Sequence, residues 1–203
     1  GSVAGPSAAN YIKGLEKSNE ASSDLLAAEE KKYQAEYAEI LAMRGTENPF
    51  VLHDEMGVLM SENVTVVREN PRLEKTLDIL KEFKERYKNI NCSDQSANGN
   101  QTALHIRRLK YMMNLAELIT AGALARNESR GAHYKPEFPQ RNDDEWLKTT
   151  IGTYSENGPV LSYEDVALSQ IKPVKRVYDV DNASGKGKEM AEKEAAAGEE
   201  DKK

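Results

Sequence analysis

The sequence is poor in cysteine, in aromatic side chains and in long apolar runs, and each shortage removes a class of protein. Cys92 is the one cysteine among 203 residues, so the chain can form no internal disulfide and no cysteine-based metal cluster. A reducing, cytoplasmic setting is expected. No apolar run approaches the roughly twenty residues that cross a bilayer as a helix, which argues against direct membrane insertion. Aromatics make up 6% of the chain and the mean hydropathy is -0.72, values that fit a modest core under long solvated surfaces. The 13 glycines are dispersed. None forms a G-x-G-x-x-G turn between a strand and a helix, the arrangement that lets backbone amides approach a pyrophosphate, so no dinucleotide cofactor site is readable. The net charge of -6 is spread along the chain. Without a concentrated basic face there is little counterion release to gain, and nucleic acid is not an expected partner. Asn63, Asn91, Asn100, Asn127 and Asn182 each open an Asn-x-Ser/Thr sequon, but no signal-peptide pattern precedes them, and they read as unmodified.

What the chain does have is helical periodicity. Ala8, Tyr11, Ile12 and Leu15 share one side of a short amphipathic helix, a connector within residues 1–20. Ser22 or Ser23 can cap a long helix with Leu26, Tyr33, Tyr37, Ile40 and Met43 facing inward, ended by Gly45. Asn48 followed by Pro49 starts a shorter helix with Leu52, Met56, Leu59 and Met60 as its stripe. Asn70 and Pro71 repeat that device ahead of Leu73, Leu77, Leu80, Phe83, Tyr87 and Ile90. Residues 91–101, rich in Asn, Ser, Asp and Gly, predict a loop. Leu104, Leu109, Met112, Met113, Leu115, Leu118, Ile119 and Leu124 then give a broad apolar surface, suited to a central helix. The expected fold is all-α, an up-and-down three-helix bundle over residues 21–133. Beyond it, residues 134–180 read as an extended segment. Asp143 or Asp144 caps one turn through Trp146, and alternating residues around Asn157-Gly158 predict a β-hairpin. Residues 181–203, dominated by Lys, Glu, Ala and Gly, predict a disordered tail.

The candidate chemistry is sparse. Arg130 and His133, three apart beside Glu128, could form a dicarboxylate clamp, Arg130 by a bidentate grip and His133 by a proton available near neutral pH. Their position at a helix end favours another role, capping the last carbonyls and pairing with the acidic 143–145 run. His53, Asp54 and Glu55 contain metal-ligand types, but neighbours two apart on a helix diverge and three or four donors must converge. His105, Arg107, Arg108 and Lys110 form a basic cluster that reads as a solvated face, with a partner surface as the other option. Cys92 has no neighbouring base to activate its thiol and reads as an incidental loop cysteine. Tyr11, Tyr33, Tyr37, Tyr87 and Tyr111 fall mostly on apolar stripes and read as core.

Four stretches are too particular to be filler: Asn48-Pro49-Phe50-Val51-Leu52-His53, Glu62-Asn63-Val64-Thr65-Val66-Val67-Arg68, the pair Glu128-Ser129-Arg130-Gly131-Ala132-His133-Tyr134 with Pro139-Gln140-Arg141-Asn142-Asp143-Asp144-Glu145-Trp146-Leu147-Lys148, and Pro173-Val174-Lys175-Arg176-Val177-Tyr178. In this order they resemble the C-terminal part of the flavoprotein subunit of succinate dehydrogenase and fumarate reductase. The resemblance runs from about Val3 to Tyr178. It implies a spectrin-repeat-like helical domain with no cofactor of its own, FAD and the dicarboxylate-handling groups lying in a flavin domain earlier in the parent subunit. It also implies two partners, that flavin-binding portion and an iron-sulfur subunit, at the cytoplasmic face of the inner membrane. Glu128, Arg130, His133, Arg141 and Arg176 become candidates for domain packing or helix capping, and residues 173–178 for a strap returning along the flavin domain. Catalytic and metal residues are expected to be absent. The matching domain of an L-aspartate oxidase shares the Ser-Arg-Gly-x-His-Tyr pattern, although the Pro-Val-Lys-Arg-Val-Tyr ending fits the succinate dehydrogenase group better. A free-standing helical interaction bundle is the reading from another class, and the ordered segment after the last helix speaks against it.

Overall fold

The computed structural model describes residues 1–15, 22–169 and 173–174. The chain divides into two compact units, Gly1–Glu164 and Asp165–Lys203, and the architecture that follows belongs to the first. The predicted tail and most of the predicted strap lie outside the described residues.

Among the described residues, six helices and one small antiparallel sheet make up the fold, in agreement with the all-α expectation and its hairpin. Helix α1 (Ala4–Lys13) buries no residue. Helix α2 (Ser23–Leu41) is capped by Ser22, whose hydroxyl accepts from the Leu25 amide at 3.2 Å. Its inward stripe is shorter than predicted. Ile40 is buried and Tyr37 packs on the core, but Leu26 and Tyr33 are 59% and 45% exposed, because only the end of α2 reaches the packed body. Tyr33 instead stacks on Tyr37 and lies under the Arg107 guanidinium. Helix α2 stops at Leu41 rather than at Gly45. Gly45 instead joins two backbone segments. Its amide donates to Ile90 O, and a Cβ there would sit 1.8 Å from Asn89 O, so only glycine lets the 44–47 and 89–91 backbones meet.

Helix α3 (Pro49–Asn63) begins as predicted, with Asn48 accepting from the Phe50 amide at 2.9 Å and proline in the first turn. Helix α4 (Asn70–Tyr87) buries Leu73, Thr76, Leu80 and Phe83. Asn70 belongs to its first turn instead of capping it, and its amide is capped by the Glu137 carboxylate at 2.8 Å. Helix α5 (Gln101–Ala125) is capped by Asn100 and buries Ala103, Ile106, Leu109, Met113, Ala116, Thr120 and Ala123. That stripe of small and large residues lets α3 and α4 approach closely, so Leu115 and Ile119, predicted as core, are turned out and 56% and 50% exposed. Helices α3, α4 and α5 pack on one another in all three pairs, and α2 joins through α5. Leu52, Leu80, Ile90, Ile106 and Leu109 are at the centre of the core. Burying each such side chain is worth about 1.5–3 kcal/mol. Cys92 is also part of this core, 1% exposed, and so is not the incidental loop residue expected.

After α5 the chain makes one helical turn, α6 (Asp143–Trp146). Its cap is Asn142, whose side chain accepts from the Glu145 amide, rather than either aspartate. Strands β1 (Lys148–Thr153) and β2 (Val160–Asp165) form the predicted hairpin. Strand β1 lies against α5, which places the hairpin beside the end of the central helix.

Candidate functional site

Two of the four particular sequence stretches, 62–68 and the pair 128–134 with 139–148, meet where α5 ends. Residues 66–68 pair with Tyr134 in a short parallel bridge, Arg68 N donating to Tyr134 O at 2.8 Å and Tyr134 N to Val66 O at 3.0 Å. The 129–133 turn is closed by reciprocal backbone bonds between Arg130 and His133, with Gly131 at φ +60, a conformation that favours glycine. Segment 141–150 is drawn in by the side chains of Arg126, Glu128 and Arg130. The junction therefore depends on polar contacts, since no helix continues through it.

Its centre is Glu128, with no exposed surface. Arg130 grips the carboxylate bidentately, Nε to Oε1 at 2.8 Å and Nη2 to Oε2 at 2.9 Å, while Arg126 Nη1 donates to Oε1 and the Asn142 amide to Oε2 at 3.0 Å. Burial alone would raise this carboxyl, but the bonds from Arg130, Asn142 and Arg126 outweigh it and hold Glu128 below the usual carboxylate range. Arg130 also donates to Asp143 Oδ1 at 2.7 Å. Arg141 grips the same carboxylate, and these two arginines, Arg141 first, bring Asp143 down to about 2. Arg176 lies outside the described residues.

His133 is 9% exposed and engaged at both ring nitrogens. Arg68 Nη1 can only donate, so Nδ1, at 2.8 Å, accepts, and Nε2 carries the proton toward Arg126 O at 3.1 Å. Burial pushes His133 down; the Arg126 carbonyl opposes this, and the nearby Arg68, Lys135 and Arg126 cations add to it. The ring is neutral and fixed in one tautomer.

Sequence reasoning overlooked Arg126, Lys135 and Arg68. Arg126 spans the junction, donating to Trp146 O at 2.8 Å and Lys148 O at 2.6 Å, with its guanidinium 5.3 Å from the Trp146 ring centroid. Lys135, fully buried, donates through Nζ to Leu124 O at 2.8 Å and Asn127 Oδ1 at 3.0 Å, so a lysine caps the last turn of α5. Burial pushes its amine down. Arg68 bonds the carbonyls of Val64 and Thr65 as well as His133, and burial lowers it too. A basic residue some ten positions past a helix end gives no periodic signal, which is why Lys135 was missed.

The other candidates do not converge on this junction. His53 and His105 approach to 5.1 Å, with His105 stacked on Phe50 at 4.4 Å, but Glu55 pairs with Arg86. No group of three or more metal-ligand side chains occurs among the described residues. Of the basic cluster, Arg107 and Lys110 pair with Glu36 on α2, at 2.9 and 3.4 Å. Burial pushes the Cys92 thiol up, and its Sγ donates to Asp94 O. The sheet among the described residues is one antiparallel hairpin, with no strand–turn–helix crossover of the kind that aims amides at a pyrophosphate. No helix among them is long and apolar enough to cross a membrane.

The chain is similar to proteins already characterised. It is 51% identical over 181 residues to the succinate dehydrogenase flavoprotein subunit of Bacillus subtilis, a match covering 88% of this chain and 31% of that one. It is 35% identical to the fumarate reductase flavoprotein subunit of Haemophilus influenzae, covering 94% of this chain and 32% of the relative. The chain thus spans about a third of the length of these curated relatives. A solved E. coli quinol fumarate reductase superposes with a TM-score of 0.72 at 31% identity, over 79% of this chain and 28% of that one. An adenylylsulfate reductase from Archaeoglobus fulgidus shares the fold alone, at 18% identity and a TM-score of 0.60, over 86% of this chain and 29% of that one. Residues 53–178 match the family described as "Fumarate reductase flavoprotein C-term", and with these relatives the match shows that the chain belongs to that family, as the C-terminal domain of a succinate dehydrogenase or fumarate reductase flavoprotein subunit.

Proposed function

We propose that this domain is a scaffold, supporting the flavin-binding portion of its parent subunit and offering surface to an iron-sulfur subunit. The parent interconverts succinate and fumarate, and FAD supplies the hydride and electron chemistry from chain outside this domain. The parent complex sits at the cytoplasmic face of the inner membrane. One observation carries the scaffold role: the ionisable groups of the signature motif satisfy one another. Glu128 receives four donors and His133 is bonded at both nitrogens, so neither is open to exchange a proton with a substrate. Glu128, Arg130, His133 and Arg141 hold the α5 terminus, the 129–133 turn and the 141–150 segment in one rigid block, a firm base for a neighbouring domain.

Arg130→Ala in the full-length subunit tests this. It opens the bidentate pair with Glu128, so the expected result is a lower thermal midpoint and less assembled complex, with turnover per bound flavin retained. An intact, fully flavinylated complex that has lost turnover alone would assign Arg130 to catalysis and refute the scaffold role.

A further inference from the structure

A cavity of about 390 Å³ opens beside the Glu128 cluster, between α5, strand β1 and the 126–133 turn. Arg68, Arg126, Arg130 and Lys148 all line it, together with His133 and the Thr149 and Thr150 hydroxyl residues. Four cations face a chain whose net charge is -6. Arg126 and Arg130 are committed to Glu128. Arg68 and Lys148 are not so committed. Arg68 spends Nε on the Val64 and Thr65 carbonyls and Nη1 on a neutral histidine, which leaves Nη2 without a partner among the described residues. Lys148 has a ring contact, its Nζ 5.5 Å from the Tyr163 centroid, and no carboxylate partner among the described residues. A half-buried guanidinium that meets only neutral groups has lost hydration without gaining a counter-charge.

We propose that this cavity is a receptor for one carboxylate, an Asp or Glu side chain presented by the flavin-binding portion of the same subunit. The proposal rests on the scaffold reading above and adds the place and chemistry of contact. Arg68 Nη2 and Lys148 Nζ supply one cationic donor for each oxygen of a single carboxylate, and Thr149 and Thr150 line the same cavity. A phosphate would present three or more oxygens to only these two uncommitted charges.

Carbodiimide treatment of the full-length subunit reads the contact directly, since it joins a lysine amine to a carboxylate only when the two touch. The expected product, mapped by mass spectrometry, links Lys148 to an Asp or Glu outside this domain. A Lys148 that stays unlinked, or links only within the domain, overturns the proposal. Hydrogen exchange at residues 148–150 gives the second arm. Protection in the full-length subunit, beyond what the hairpin gives in this chain alone, should fall by about tenfold in Lys148→Gln and in Arg68→Gln. Lys148→Gln removes one ring contact, that with Tyr163, and keeps the fold. Protection that neither substitution alters would leave the scaffold reading standing and refute the carboxylate receptor. No protection anywhere on the domain surface would refute the scaffold reading itself. Succinate titrated into this chain alone supplies the last arm: saturable shifts at the Thr149 and Thr150 amides would assign the cavity to a free anion and overturn the side-chain occupant.

Discussion

Glutamine in place of Glu128 keeps the shape of the side chain and removes the charge that two arginines share. Arg126 and Arg130 would then face each other across a neutral amide whose NH2 group points a donor at donors, in a site closed to water. Breaking one side of a buried ion pair costs about 3–5 kcal/mol, so Glu128→Gln should lower the free energy of unfolding in urea by an amount of that order, and a loss below about 1 kcal/mol would contradict the picture. His133 makes a pH-dependent contribution of definite sign. Its native ring is held neutral, below the ordinary value of 6.5, while the unfolded ring takes up a proton near that value. The unfolded state therefore binds more protons, and the contribution, complete above about pH 7, is lost as pH falls below 6.5. His105 is lowered in the same sense by burial, so His133→Asn should reduce, without abolishing, the slope of urea midpoint against pH between about 5.5 and 7. Residue chemistry was only partly legible in the sequence. Glu128, Arg130 and His133 drew notice through their motif, yet the pairing of Arg130 with Glu128, two residues away in an extended turn, follows no helical or strand spacing. Lys135 and Arg126 carried no local signal, because Lys135 bonds a carbonyl at a helix end whose position the sequence leaves uncertain by a turn, and Arg126 bonds carbonyls some twenty residues further along the chain.

Among the elements, legibility followed burial. Helices α3 and α4 bury one face along most of their length, and their stripes of Leu52 and Met56, and of Leu73, Leu80 and Phe83, were visible as periodicity. Helix α2 misled because Leu26 and Tyr33 hold the right spacing where the helix has not yet reached the core, Leu26 standing exposed and Tyr33 meeting only Tyr37 and the Arg107 guanidinium. Helix α5 misled the other way, its true inner face using Ala103, Ala116, Thr120 and Ala123 where contact is closest and leaving Leu115 and Ile119 outside. Connections were read less well still. Gly45 looked like a helix stop, whereas it is where two backbones cross, with Gly45 N bonded to Ile90 O at 3.0 Å and Glu47 N to Asn89 O at 2.9 Å. A methyl group there must displace the Asn89 backbone, which Ile90 anchors in the core. Gly45→Ala should therefore destabilise the chain by about 1–3 kcal/mol in urea unfolding, although alanine is the better helix former. An unchanged midpoint would show that the crossing can open at little cost.

At the scale of the whole molecule, packing is uneven in a way that separates stability from assembly. The core sits between α3, α4 and the first half of α5, while the far end of α5 is held by the polar junction of Glu128, His133 and Lys135. By contrast, α1 buries nothing, and the first half of α2 is exposed throughout. Such segments add chain without adding burial, and a helix as short as α1 is marginal in water without tertiary support. Deleting residues 1–15 should thus leave the thermal midpoint of the remaining chain within about 2 °C of the original, since stability scales with surface removed from water and none of consequence is lost. Within the full-length subunit the same residues form part of the surface a flavin-binding portion would use under the scaffold proposal, and there the deletion should lower the midpoint. A difference between the two contexts assigns α1 to contact between domains. Equal loss in both would instead mean that α1 supports the helical body itself, against the exposure of every one of its side chains.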